Sequence, residues 1–65
     1  MYNLSRLEAT RRRFNLLLPT TQRGLGRNGI SEDKEIAPLS DRDLYRLAFI
    51  GPVGRQDIRR HFPHQ

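Results

Sequence analysis

Through the first stretch of the chain, "SRLEATRRRFNLLLP", Leu7, Phe14 and Leu18 fall close to one stripe at helical spacing, with Leu4 and Leu17 at its flanks. Ser5 and Glu8 stand three apart, the spacing at which a hydroxyl accepts from the N3 amide while the N3 carboxylate reaches back to the cap amide. The pattern predicts a helix that starts at Arg6 and runs to residue 17 or 18, because Pro19 disfavours helical geometry at the residue before it. Its weak point is the middle. Arg11, Arg12 and Arg13 occupy successive positions, so one of them must approach the apolar stripe with only its stem to cover it. Such a helix is marginal alone and firmer against a partner.

Residues 20–38 lose that periodicity. "TTQRGLGRNGISEDKEIAP" carries three glycines, the turn-forming pair Asn28-Gly29 and a mixed-charge tract, with only Leu25, Ile30 and Ile36 as large apolar residues. This reads as a flexible linker with at most a short helical turn from Ser31 to Glu35. Pattern returns in residues 39–65. Ser40 and Asp43 form a second capping box, and Leu39 and Leu44 stand where a hydrophobic staple needs them, predicting a helix from Asp41 to about Phe49. "IGPVG" then reads as a break centred on Pro52, and "RQDIRRHF" as a second helix closed by Pro63. The expected architecture is all-α: an N-terminal amphipathic helix over 1–19, a linker over 20–38 and a C-terminal helical hairpin over 39–65. The predicted core is Leu39, Leu44, Leu47, Ala48, Ile50, Val53, Ile58 and Phe62.

Length and charge narrow what such a chain does. Sixty-five residues make one small domain, and a chain of that size buries only about 60% of the surface it exposes unfolded. There is no cysteine to form a disulfide or hold zinc. Twelve Lys and Arg, eleven of them arginine, against seven Asp and Glu give a formal charge of +5 and a pI near 11.1, a balance that suits a polyanion or an acidic protein surface. No apolar run, Leu16 to Leu18 included, approaches the length of a membrane span or a signal-peptide core. The expected location is cytoplasmic. A mitochondrial targeting segment would also start arginine-rich and amphipathic, but Glu8 and the shortage of serine speak against it.

Three motifs invite a chemical reading and do not sustain one. Gly24-x-Gly26-x-x-Gly29 has the form of the dinucleotide fingerprint, but "LPTTQR" before it is no strand, and only a few residues follow before Pro38. The stretch reads better as a flexible segment, with Arg23 and Arg27 beside the glycines able to lie along phosphates and equally able to belong to a plain tether. His61 and His64 are three apart, yet Pro63 falls between them and nothing completes a ligand set, so no metal and no other cofactor is expected. The paired carboxylates Asp41 and Asp43 are explained by helix capping. No serine or threonine has a histidine nearby to act as its base, so neither an enzymatic activity nor a small-molecule substrate is expected.

The arginines carry more information. Arg11, Arg12 and Arg13 concentrate on the first element, and Arg55, Arg59 and Arg60 with Gln56 on the last. Guanidinium forks pair bidentately with phosphate or carboxylate. The expected function is nucleic-acid binding, RNA before DNA, mainly through phosphates, with Tyr45 as a candidate stacking platform. In a helix-turn-helix reading, Leu47, Ala48, Val53 and Ile58 form the core and the last helix faces a groove. The rival is a protein-interaction module or small subunit of a larger assembly, docking Leu7, Phe14 and Leu18 on an acidic partner.

The stretch "LSDRDLYRLAFIGPVGRQDI" resembles the YjiS-like family of small arginine-rich bacterial proteins, whose C-terminal motif looks like L-S-D-x-[E/D]-L-x-D-I-G-[I/L]-x-R-x-[D/E]-I. Leu39, Ser40, Asp41, Asp43 and Leu44 match its first half, and Gly51, Arg55, Asp57 and Ile58 resemble its second. Arg46 stands where the family has an acidic residue, and about four extra residues separate the halves. The resemblance covers some twenty residues and implies a non-enzymatic protein that engages RNA through its arginines and modulates RNA turnover or a regulatory network.

Overall fold

A computed structural model of the protein describes residues 9–63. The described chain is helical, with no strand among these residues. Residues 9 and 10 are helical, 11–13 form a turn, and a single 3-10 turn spans Phe14–Leu16. Four helices follow: α1 (Pro19–Arg27), α2 (Asp33–Ile36), α3 (Asp41–Arg46) and α4 (Pro52–His61). Helix α4 packs against both α1 and α3. The Ser5–Glu8 capping box, with Arg6 and Leu7, lies outside the described residues.

The N-terminal helix does not continue to residue 17. It gives way at the arginine tract, where an unbroken helix would have pressed one guanidinium stem against the apolar stripe. The bend turns Phe14 and Leu17 inward, to 2% and 3% exposure, and leaves Arg12 and Arg13 in solvent. Carboxylates from later in the chain take up the amides freed there. The Arg13 and Phe14 amides donate to the two oxygens of Asp33 at 3.0 and 2.9 Å, and the Leu18 amide donates to buried Asp57 at 2.8 Å. An unpaired buried amide costs about 1–3 kcal/mol, so these contacts hold the bent segment on α2 and α4.

Residues 20–38, expected as a linker, hold two helices. Pro19 both closes the preceding segment and opens α1 as its N1 residue, where its fixed φ and missing amide are harmless. At the other end Asn28 is the C-cap and Gly29 adopts φ 76°, while the Ile30 amide donates to the Leu25 carbonyl and the Gly29 amide to the Gly26 carbonyl. That is a Schellman closure, with Ile30 folded back against the core. Leu25 and Ile36, both read as linker residues, are fully buried. In α2 the Glu35 carboxylate accepts from the Ser31 and Glu32 amides.

Helix α3 begins as its capping box predicts. The Asp43 amide donates to Ser40 Oγ at 3.1 Å and the Ser40 amide to the Asp43 carboxylate at 3.0 Å. These contacts, the Ser40 amide first and its hydroxyl second, hold the Asp43 carboxyl below the usual aspartate range, with Arg46 and Arg42 adding to the effect. Because the folded value is depressed, the stabilisation is fully present above the unfolded value of about 3.9 and is lost as pH falls through the folded value. Replacing Ser40 by alanine should therefore move the Asp43 titration upward, read by NMR of its carboxyl carbon, and destabilise the fold by about 1 kcal/mol.

The helix ends at Arg46, three residues earlier than predicted, because the chain must bring Ile50 into the core. Phe49 takes φ 64° to make that turn. Pro52 does not sit in a break between helices: it is the first residue of α4, with Gly51 as N-cap. Leu44, Ile50, Ile58 and Phe62 are buried as predicted, with Leu39 and Leu47 packed at the edge, while Val53 is 66% exposed and Ala48 also faces solvent.

Candidate nucleic-acid interface

Arginines from the two ends of the described chain, Arg13 and Arg59, meet at Phe62. The Arg13 guanidinium lies 5.7 Å from the Phe62 ring centroid, and Arg59 Nη1 donates to the Phe62 carbonyl at 2.9 Å. The bend at 11–13 and the Leu18–Asp57 bond bring the N-terminal tract to the C-terminal end of α4. Arg12 and Arg60 are exposed, as is Gln56. Arg11 is partly buried, with its guanidinium 4.9 Å from the Phe14 ring and its Nε without a hydrogen-bond partner.

Not every arginine singled out by sequence keeps its charge available. Arg59 donates from Nε to Asp41 at 2.6 Å, from Nη2 to the Leu39 carbonyl at 2.6 Å, and from Nη1 to Phe62. Its whole fork is occupied within the fold. Arg55 lies 3.9 Å from the Tyr45 ring centroid and points Nη1 at the Ile50 carbonyl at 3.5 Å. The groove these residues share, between α3 and α4, contains the Asp41 carboxylate. Tyr45 is 70% exposed, but a guanidinium already stacks on it.

Residues assigned to a partner-docking stripe are divided by the fold. Phe14 is a core residue, Leu18 is 45% exposed beside Leu16 at 63%, and Leu7 lies outside the described residues. A Phe14→Ala variant would thus report on folding before it reported on any partner. The exposure of Val53 and Ala48 also removes two residues that the helix-turn-helix reading placed in the core.

A second basic surface comes from Arg23 and Arg27, which the sequence places beside glycines in an expected linker and the fold places on a helix. Arg23 and Arg27 stand one turn apart on α1 and both line a shallow concavity with Thr20, Gly24 and Phe49. Arg23 also lines a neighbouring one with Arg11, Phe14 and Gln22. Among the described residues neither concavity has a carboxylate in its lining. The signal that frames this helix was present in the chain: Pro at one end, Asn-Gly at the other, and basic residues at i and i+4 between them.

Among the described residues no cluster of three or more metal-ligating side chains occurs, and no helix is long and apolar enough to cross a membrane. No protein-family model, curated protein or solved structure matches the chain.

Proposed function

We propose that the protein binds nucleic acid, RNA in preference to DNA, through arginine–phosphate contacts, and that it acts by binding rather than by catalysis. The observation that carries this reading is the junction at Phe62, where Arg13 and Arg59 meet in a molecule of net charge +5, with their exposed sequence neighbours Arg12 and Arg60 beside them in the chain. A surface of exposed guanidinium groups releases counterions from a phosphate backbone, which makes affinity steeply salt-dependent. The preference for RNA rests on the resemblance of residues 39–58 to the YjiS-like family, and a regulatory role follows from the same resemblance.

The test is fluorescence anisotropy of the protein against a single-stranded RNA, a structured RNA and a DNA duplex, each between about 50 and 200 mM salt. Saturable binding with a steep salt slope is expected. The double variant Arg12→Ala, Arg60→Ala should weaken RNA binding about tenfold at the lower salt and reduce the slope by roughly one to two units. Its melting temperature should match the parent, because both side chains are exposed. Absence of saturable binding at the lowest salt would overturn the proposal.

A further inference from the structure

Phe49 is the most anomalous residue of the described chain. It is the one non-glycine residue there with a positive φ, at 64°. Holding a bulky side chain in that region costs about 1–3 kcal/mol, a strain that persists only where surrounding structure imposes it and that clusters at ligand sites. Burial does not compensate, since the ring is 65% exposed. Glycine or asparagine would make the same turn at lower cost.

The ring's surroundings give its exposure a use. The Arg27 guanidinium lies over the ring, 4.9 Å from its centroid, a looser contact than the 3.9 Å of Arg55 on Tyr45. Arg23, one turn earlier on α1, lines the same concavity of about 280 Å³, and no described residue of its lining is a carboxylate that would compete for a guanidinium. Gly24 also lines it, packed so close to this turn that a Cβ there would come within 2.6 Å of the Phe49 carbonyl oxygen. An exposed aromatic face beside two cations on a rigid element is the arrangement that binds single-stranded nucleic acid, with a base on the ring and phosphates on the cations. Tyr45 offers a weaker version, because Arg55 stacks closely on it and Asp41 lies in its groove.

We infer that Phe49 is a stacking platform for one unpaired base of single-stranded RNA, with Arg23 and Arg27 holding the adjoining phosphates. This rests on the nucleic-acid reading above and deepens it, because stacking selects unpaired bases over duplex.

The test uses the full chain, a single-stranded RNA oligonucleotide carrying 2-aminopurine, and an RNA duplex of the same length. Phe49→Ala should weaken single-strand binding about tenfold or more and abolish the change in 2-aminopurine fluorescence on binding, while leaving the salt slope unchanged. Arg23→Ala with Arg27→Ala should instead lower the slope. Phe49→Gly removes the ring and relieves the backbone, so its loss of affinity cannot be put down to unfolding. Phe49→Trp should retain binding. If the Phe49→Gly and Phe49→Ala variants bind single strands as tightly as the parent, the platform is overturned and the nucleic-acid reading stands. A parent protein that binds neither RNA at the lowest salt overturns both. Displacement of the RNA by poly-glutamate at equal charge concentration, with the same dependence on Phe49, overturns base stacking in favour of an acidic protein ligand.

Discussion

Replacing Gly24 by alanine will destabilise the protein by about 2–3 kcal/mol, whereas the same change two residues later, at Gly26, will leave it unchanged or slightly more stable. Both glycines lie in α1, where alanine is the better helix former by up to about 1 kcal/mol. What separates them is space. A Cβ at Gly24 would come within 2.6 Å of the Phe49 carbonyl oxygen and 2.7 Å of Ile50 Cδ1, while one at Gly26 meets nothing within 4 Å. The first contact is with backbone, which cannot rotate away. The second is with a side chain held in the core at 8% exposure. Overpacking of this kind costs about 1–3 kcal/mol and occasionally more, and here it outweighs the gain in helix propensity. In so small a domain 1 kcal/mol shifts the melting temperature by roughly 4–8 °C, so thermal melts followed by circular dichroism resolve the two variants. Equal melting of Gly24→Ala and Gly26→Ala would show that α1 does not approach the Phe49 turn as described. The outcome also bears on the proposed platform, because that approach is what fixes Phe49 beside Arg23 and Arg27.

The two glycines also explain what the sequence disclosed and what it concealed. The 20–38 segment was read as a linker because it is polar and glycine-rich. Its glycines perform separate tasks that composition cannot distinguish: Gly24 permits contact between α1 and the Phe49 turn, and Gly29 closes α1 in the left-handed region. The helix itself was visible in the positions of Pro19 and Asn28-Gly29, but only to a reading that let Pro19 begin a helix as well as end one. Pro52 likewise opens a helix where its neighbours suggest only a break. The Ser40–Asp43 box was legible because both partners are three residues apart and need nothing from elsewhere in the chain. By contrast, Asp33 and Asp57 take up amides 19 to 39 residues away. No local pattern announces such contacts, and they are what redirects the chain at Arg11–Arg13. Several residues shared with the YjiS-like motif, Leu39, Ser40, Asp43, Leu44, Asp57 and Ile58, stand in this structure as cap, tie or core residues. Among the arginines, sequence gave equal weight to residues that the fold uses in opposite ways.

Arg59 and Arg60 put that difference to the test. Arg59→Ala is expected to destabilise the protein by about 2–3 kcal/mol, and Arg60→Ala by nearly nothing. The Arg59 fork joins three acceptors that come from separate places: the Leu39 carbonyl ahead of α3, Asp41 in its first turn and the Phe62 carbonyl at the end of α4. Hydrogen bonds to a charged group contribute about 1.5–3 kcal/mol each when protected. The Asp41 side chain is 75% exposed, so its ion pair with Arg59 is strongly screened and contributes little. The two carbonyl bonds are the larger part, and the Arg59 side chain, at 20% exposure, also loses its packing when truncated. Lysine at this position reaches one acceptor at a time and should recover less than half of the loss. In RNA titrations carried out well below each variant's melting point, Arg60→Ala should lower the salt slope. Arg59→Ala should change it less, since a guanidinium already neutralised by Asp41 and tied to carbonyls contributes little to counterion release. A variant Arg59→Ala that melts with the parent and flattens the salt slope as much as Arg60→Ala would reverse the assignment. Arg59 would then be a phosphate ligand whose internal contacts yield to RNA, and α4 would present its arginines to the ligand as one continuous face.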